Sequence, residues 1–403
     1  MRIAFLSVSS QIGGSEVLLL QLMKELRSSR AGWNLHLILP ADGPLAARAA
    51  NLDVAVSIVP MPAALLRLGE GSGNGTTRAP LAFRLVRAAA DVPAYQRQMS
   101  RALATIDPDI IHSNGFKTHI VSARLNRGRA ALVWHIHEYV AARPVTRLLV
   151  RHYAGRADAI VANSQSVADD LQAVMGSGVQ VIHNAVDLER FSPAGAVADL
   201  DAKASMCPAP RGTVRVGLVA TFGRWKGHET FLRSMALLEP ADCVRGYVVG
   251  GALYDTLGSQ HTLAELQACA VALGVSDRVG FTGFIEAPET ALRALDVVVH
   301  ASTEPEAFGL VIAEGMACGR AVVTSGTGGA AELVRDGHDA LLHPAANHVE
   351  LAARVAQLAA DRPMRERLGA EARATALRRF DARRLTDQFA AVYDQAQIMR
   401  ARG

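Results

Sequence analysis

The run HASTEPEAFGLVIAEGMACGRAVVTS, residues 300–325, carries two carboxylates, Glu306 and Glu314, on either side of a Phe308-Gly309 pair. The apolar stretch DVVVHAS ahead of it reads as a buried strand ending at His300–Ser302, and a helix is expected from about Leu310. The first turn of such a helix has backbone N–H groups with no acceptor inside the helix, here those of Gly309, Leu310 and Val311. With the helix dipole they make a site suited to a phosphate. Gly309 lets a ligand approach the backbone closely. Glu314, one turn in, can accept hydrogen bonds from a diol such as a ribose, and Glu306 can accept them from sugar hydroxyls. Glu306 alone would read as an acidic loop capping a helix; the strand, loop, Phe-Gly and helix together read as a ligand site. Downstream, TSGTGGAAELVRDG (Thr324–Gly337) again orders a strand, a Gly328-Gly329 turn and a helix. That turn is weak by itself and gains weight from its neighbour.

A second group is basic. Arg224 and Lys226 flank Trp225 just after a strand, and Gly227 opens a helix. Two cations at that place can neutralise a departing diphosphate, with the largest effect as the leaving group gains charge. The helix dipole disfavours cations there, which favours an anionic partner over a solvated pair. Lys226 is one of only four lysines among 42 basic residues. A third group, VWHIHEYV, places His135, His137 and Glu138 at a strand end. A His-x-His pair puts both rings on one face, as a metal would require, but no further ligand cluster supports a metal. Hydrogen bonding to a sugar hydroxyl or a reacting centre suits one such histidine better. His112 reads as structural. In SSQIGGSEVLL, Gly13-Gly14 precedes Ser15, which is expected to cap the following helix. No third glycine stands at dinucleotide spacing, so a nicotinamide cofactor is not indicated.

The elements that must position these residues are short apolar strands alternating with amphipathic helices, the pattern of a parallel α/β fold. Strands are expected at Arg2–Val8, Leu35–Leu39, Val54–Val59, Ile110–His112, Leu132–His135, Ala159–Ala162 and Val179–Ile182. The pattern restarts with strands at Val214–Ala220, Tyr247–Gly250, Val279–Phe281, Val297–His300 and Ala321–Thr324. Between the halves, residues 193–212 are rich in Pro, Ala and Gly and read as a linker. The expected division is 1–192, a linker 193–212, 213–383, and a final helix 384–403 that crosses back to the first domain. Ligands of such sheets sit beyond the carboxyl ends of the strands. The glycine-rich segment Gly69–Arg78 reads as a surface loop, with a lid over an acceptor site as the alternative. The helix after it, Leu81–Ala104, carries Arg84, Arg87, Arg97 and Arg101; a solvated face is favoured over contact with an anionic membrane.

Composition fits this reading. At 403 residues the chain exceeds the roughly 250–300 that one core supports. It is 50% hydrophobic and 20% charged, which excludes wholesale disorder. No apolar run approaches the roughly 20 residues of a membrane span. The N-terminus opens directly into a strand, so no secretory signal is expected. Cys207, Cys243, Cys269 and Cys318 are scattered without a C-x-x-C pair, which fits a reducing cytoplasm. A net charge of +4 with 5% aromatics does not call for a nucleic acid.

These residues resemble the retaining nucleotide-sugar glycosyltransferases of family 4. The matching pieces are GGSEVLLLQLMKEL, DPDIIHSNG, VWHIHEY, VIHNAVDLERF, RWKG, EAFGLVIAEGMA and GGAAELVRDG, spread over nearly the whole chain. The resemblance implies the GT-B fold: α/β, two Rossmann-like domains facing across a cleft. It implies a nucleotide-sugar donor on the C-terminal domain and a hydroxyl acceptor on the N-terminal one. Arg224 and Lys226 would contact the diphosphate, and Glu314 the ribose. Glu306 with the amides of Phe308, Gly309 and Leu310 would hold sugar and phosphate. Phe284 and Ile285 would meet the nucleobase, His137 would lie near the transferred sugar, and Gly13-Gly14 would let substrate approach. Glu332 is a weaker site residue. Arg224 and Lys226 are separated by one residue, whereas many members have a longer loop there, so Lys226 is the firmer assignment.

The reaction expected is sugar transfer with retention of configuration. No carboxylate stands out as a nucleophile, so a front-face route, in which the leaving diphosphate helps take the acceptor's proton, is more economical than two-carboxylate chemistry. Protein cations would take the place of a metal, and no cofactor is expected beyond the nucleotide-sugar co-substrate. The alternatives are a nucleotide-sugar epimerase or phosphorylase-like enzyme of the same fold, or a non-catalytic nucleotide-sugar-binding protein.

Overall fold

The computed structural model of the chain describes residues 1–66, 81–125, 128–176, 178–239, 243–253 and 258–402, with the backbone alone at 64, 66 and 81–90. Gly69–Arg78 and the side chains of Arg84 and Arg87 lie outside the described residues; Arg97 and Arg101 are exposed to solvent. The contacts divide the chain into unit 1, Met1–Ala185 with Ala382–Gly403, and unit 2, Val186–Asp381.

In unit 1 the elements run β1 (Arg2–Ser7), α1 (Gly14–Ser29), β2 (Asn34–Leu39), α2 (Pro44–Ala50), β3 (Ala55–Ile58), α3 (Ala63–Leu66), α4 (Leu81–Ile106), β4 (Ile110–Asn114), α5 (Phe116–Leu125), β5 (Ala131–Ile136), α6 (Pro144–Tyr153), β6 (Ala159–Ala162), α7 (Gln165–Met175) and β7 (Val179–Val181). The strands form one parallel sheet in the order β3-β2-β1-β4-β5-β6-β7. Every residue of β5, ALVWHI, is buried, because helices cover both faces of a parallel sheet. Unit 2 continues with α8 (Leu200–Lys203), β8 (Val214–Val219), α9 (His228–Ala236), β9 (Val244–Val249), α10 (Leu263–Ala272), β10 (Val279–Gly283), α11 (Pro288–Ala294), β11 (Val297–His300), α12 (Leu310–Ala317), β12 (Ala321–Thr324), β13 (Leu341–Leu342), α13 (His348–Ala360) and α14 (Arg362–Arg379). Its parallel sheet has the order β10-β9-β8-β11-β12-β13. Val297 and Val299 of β11 point into one core layer with Phe231 and Leu351, and Val298 into the other with Met316 and Phe380. The last helix, α15 (Arg384–Arg402), belongs to unit 1, where Leu385, Phe389, Val392 and Tyr393 join Phe5, Leu22 and Met23 in the core.

Both sheets reverse their order beside their first strand, at β1/β4 and at β8/β11. At such a switch point the loops leaving adjacent strands diverge, and the gap beyond their carboxyl ends is where open α/β sheets hold ligands.

Three local expectations change. Residues 193–212 are part of unit 2 and not a linker. Leu200 and Asp201 are buried there, and Asp201 accepts from Tyr247 at 2.6 Å, Arg245 at 2.7 Å and Arg215 at 3.2 Å. Ser15 is not the cap of α1: the helix begins at Gly14 and Gly13 is the cap. The segment after Gly328-Gly329 is a single 3-10 turn, Gly329–Glu332, in place of the expected helix. No helix among the described residues is long and apolar enough to cross a membrane.

Candidate functional site

In unit 2 three loops leave adjacent strands, β8, β11 and β12, and are tied together. After β8 the chain turns at Gly227 with φ +77, where a Cβ would lie 1.9 Å from the Ala301 carbonyl oxygen. Only glycine permits that approach of the β8 loop to the end of β11. The Thr303 amide donates to the Trp225 carbonyl at 2.8 Å and fixes the same contact. Lys226 Nζ thereby reaches Glu306 Oε2 at 2.6 Å, with the two side chains 23% and 17% exposed. Glu306 is also held from β12: Gly329 N donates to its carbonyl at 2.7 Å, and its own amide donates to Thr327 O at 3.3 Å. Burial opposes ionisation of Glu306, but Lys226, assisted by His300, outweighs it and holds the carboxyl well below the usual carboxylate range.

Helix α12 starts directly behind this pair. Its cap, Gly309, has φ 89, the left-handed region that suits glycine. The amides of Leu310 and Val311 donate to no backbone oxygen among the described residues. Phe308 is buried and meets Phe380 edge to face at 6.0 Å, anchoring the helix start in the core, while Leu310 is half-buried. Glu314, half-buried, makes no side-chain hydrogen bond among the described residues, and its carboxyl is pushed up to about 8 by burial, with Arg190 opposing and Glu289 reinforcing the shift. Arg190 and Glu289 form their own ion pair at 2.9 Å. The two glutamates, alike in sequence, thus sit in opposite ionisation states. A carboxyl and helix amides that have no partner among the described residues, in one loop–helix unit with the Glu306 that Lys226 meets, can receive an anionic ligand that also bears hydroxyls.

Arg224 does not join Lys226. Its guanidinium donates to Gly258 O at 3.1 Å and Glu265 Oε1 at 3.0 Å and meets His261 Nδ1 at 3.2 Å, so it pins the β8 loop to the start of α10. Both residues lie in the Arg224–Lys226 3-10 turn, yet their partners differ: Glu265 and His261 for Arg224, Glu306 for Lys226. Phe284 is 58% exposed, and its ring lies so close to Gly251 that a Cβ there would stand 2.8 Å away; Ile285 packs on the core. The Glu332 carbonyl accepts from Arg379 at 2.8 Å.

In unit 1, His137 Nε2 lies 2.6 Å from Asn114 Oδ1, which joins the ends of β5 and β4. Burial lowers the His137 pKa to about 4, so the imidazole is neutral at neutral pH. The His135 ring sits 4.0 Å from it, and His112, in its structural role, meets Tyr393 OH through Nδ1 at 2.8 Å. Gly13 N donates to the buried Glu16 Oε2 at 3.1 Å, and a side chain at Gly14 would meet nothing within 4 Å. Sequence reasoning passed over Asn114, whose partner His137 lies 23 residues on, and saw His300 and Ser302 only as a strand end; their bonds to Glu306 depend on how the loop after β11 folds back.

The chain is similar to proteins already known. The chain matches the family descriptions "Glycosyltransferase Family 4" over residues 12–190 and "Glycosyl transferases group 1" over residues 209–375. The D-inositol 3-phosphate glycosyltransferase of Thermomonospora curvata is 30% identical over 309 residues, covering 70% of this chain and 72% of that protein. That of Streptomyces bingchenggensis is 31% identical over 284 residues; the match spans 66% of this chain and 62% of the relative, short of two thirds of the latter's length. Among solved structures, Anabaena Alr3699/HepE in complex with UDP aligns at a TM-score of 0.80 with 25% identity, covering 98% of this chain and 100% of that one. The same protein with UDP-glucose aligns at 0.79 over 98% and 99%. The architecture expected from the sequence, GT-B with two Rossmann-like parallel-sheet domains, is the one found.

Proposed function

Because the chain belongs to the group 1, family 4 glycosyltransferases, we propose that it moves a sugar from a nucleotide diphosphate donor to an acceptor hydroxyl on a glycan, lipid or small molecule, with retention of configuration. The observation that carries this reading is the union, within unit 2, of Lys226, Glu306, the first-turn amides of α12 and the unpartnered Glu314. The anionic diphosphate is matched by Lys226 and the amides of Leu310 and Val311. Glu314 suits the ribose hydroxyls and Glu306 those of the sugar. Phe284 and Ile285, at the end of β10, suit the base. UDP is the default nucleotide, supported by the complexes of the Anabaena protein.

In the transfer step the bond from the anomeric carbon to the leaving phosphate oxygen breaks, and the acceptor oxygen bonds to the same face of that carbon. The acceptor's proton passes to the leaving diphosphate. Lys226 and the helix amides stabilise the charge that gathers on the leaving group, where fixed donors act most strongly. His137, neutral and oriented by Asn114, is suited to a hydrogen bond with a sugar hydroxyl. Arg224, engaged with Glu265 and His261, serves to hold the loop that carries Lys226.

The test is sugar transfer, with the donor chosen by thermal shift from a panel of UDP-, GDP-, ADP- and dTDP-sugars. Lys226→Ala and Glu306→Ala should each lower the rate about a hundredfold. Rates near the wild type in both would remove the site. Product analysis without acceptor separates transfer from epimerisation.

A further inference from the structure

Behind Glu306 lies a line of buried polar groups that the transfer step does not use. His300 is 4% exposed, Ser302 1% and Thr324 0%. Gly326 N donates to Thr324 Oγ1 at 3.2 Å. Thr324 Oγ1 lies 3.0 Å from His300 Nδ1. His300 Nε2 lies 3.1 Å from Ser302 Oγ and 3.4 Å from Glu306 Oε2. Ser302 Oγ donates to Glu306 Oε2 at 2.9 Å. The hydrogen positions follow from what each group can do. Thr324 Oγ1 already accepts from an amide, so its own proton is available to His300 Nδ1. Ser302 Oγ spends its only proton on Glu306, so it accepts from His300, which places a proton on His300 Nε2. Every donation runs the same way, from the β12 loop to the carboxylate, and aligned donations reinforce one another.

We infer that His300, with Ser302 and Thr324, is a positioning device that fixes the orientation of Glu306 and so sets the recognition of the donor's sugar. This rests on the assignment of Glu306 to sugar hydroxyls. Among the described residues His300 makes no hydrogen bond to Lys226 or the α12 amides and reaches Lys226 only through Glu306, so the device acts first on the group assigned to the sugar. A histidine inside a strand end otherwise made of valines, DVVVHAS, has no packing reason to be polar.

The experiment compares, by calorimetry on the full chain, the donor selected by the thermal-shift panel with its parent nucleotide diphosphate. His300→Phe should raise the Kd of the sugar donor about tenfold while leaving the nucleotide diphosphate within about twofold, as expected for a lost hydrogen bond to a charged group. His300→Gln, whose side-chain amide can place an N–H near the Nε2 position, should recover most of the loss. Thr324→Val removes the hydroxyl that meets His300 Nδ1 at nearly the same side-chain size, and should reproduce the His300→Phe effect in part; it carries the test if His300→Phe does not fold. Equal losses for both ligands, or no difference between His300→Phe and His300→Gln, overturn the inference. If Glu306→Gln loses sugar-donor affinity and neither His300→Phe nor Thr324→Val does, the device is wrong and the role of Glu306 stands. If Glu306→Gln binds the sugar donor as the wild type does, the role of Glu306 itself has failed. Independently of any ligand, the imidazole nitrogen spectrum should show a proton on His300 Nε2, and a ring without a proton there would contradict the chain of donations.

Discussion

Glu306 and Glu314 stand eight positions apart and are driven to opposite charge states by what surrounds them. Lys226 keeps Glu306 ionised; burial without a hydrogen-bond partner keeps Glu314 protonated near neutral pH. The second state has a cost with a definite sign. A carboxyl raised from 4.5 to about 8 binds its proton more tightly in the fold than in the unfolded chain. The penalty for holding it is absent below 4.5, grows as pH rises through that window, and is complete above about 8. Glu314→Gln, neutral at every pH, should therefore melt above the wild type at about pH 9 and show no such advantage at about pH 4. A constant offset at both pH values would mean that Glu314 is not held protonated. Glu314→Ala, which removes the acceptor offered to the ribose, should weaken nucleotide diphosphate binding.

At the scale of elements, the site depends on how closely the β8 loop can approach β11. Gly227→Ala would bring a Cβ to 1.9 Å from the Ala301 carbonyl at a left-handed φ of +77. The loop must then move, at a cost of about 2 kcal/mol or more. Lys226 would be carried off Glu306, so lower stability and lost donor binding should appear together; a fully stable variant that binds donor normally would refute this. The ends of β4 and β5 give a different sensitivity. Burial lowers His112 to about 3 and His137 to about 4, and holds His119 and His135 well below 6.5. Their neutral forms contribute stability that is present above 6.5 and is lost as pH falls toward the folded values. The urea midpoint should drop steeply between about pH 6.5 and 4, and His112→Phe should make that drop shallower. These strands were legible in the sequence because strands buried on both faces are continuous apolar runs, as in DVVVH. Helices α2, α6 and α11 were not, since each is short and opens on a proline that reads as a turn. The stretch 193–212 misled because its Pro, Ala and Gly hide the two residues, Leu200 and Asp201, that bury it in unit 2. Within the site, the phosphate-type helix start and its glutamates showed in local spacing. The turn of Arg224 toward Glu265 did not, because it depends on where α10 begins.

At the scale of the whole molecule, the chain leaves unit 1 after Ala185 and returns to it at Ala382, so α15 completes the core that the N-terminal strands begin. Tyr393 OH on His112 and Phe389 beside His135 make that last helix part of the support for the histidine strands. Unit 2, by contrast, holds from its own residues every group proposed for the diphosphate and the ribose: Lys226, the α12 amides and Glu314. The most direct measurement is a crystal structure of the protein with UDP. The diphosphate should contact Lys226 and the amides of Leu310 and Val311, with the ribose hydroxyls on Glu314. Density for the nucleotide away from those groups, with Lys226 still closed on Glu306 and Glu314 still unpartnered, would contradict the account.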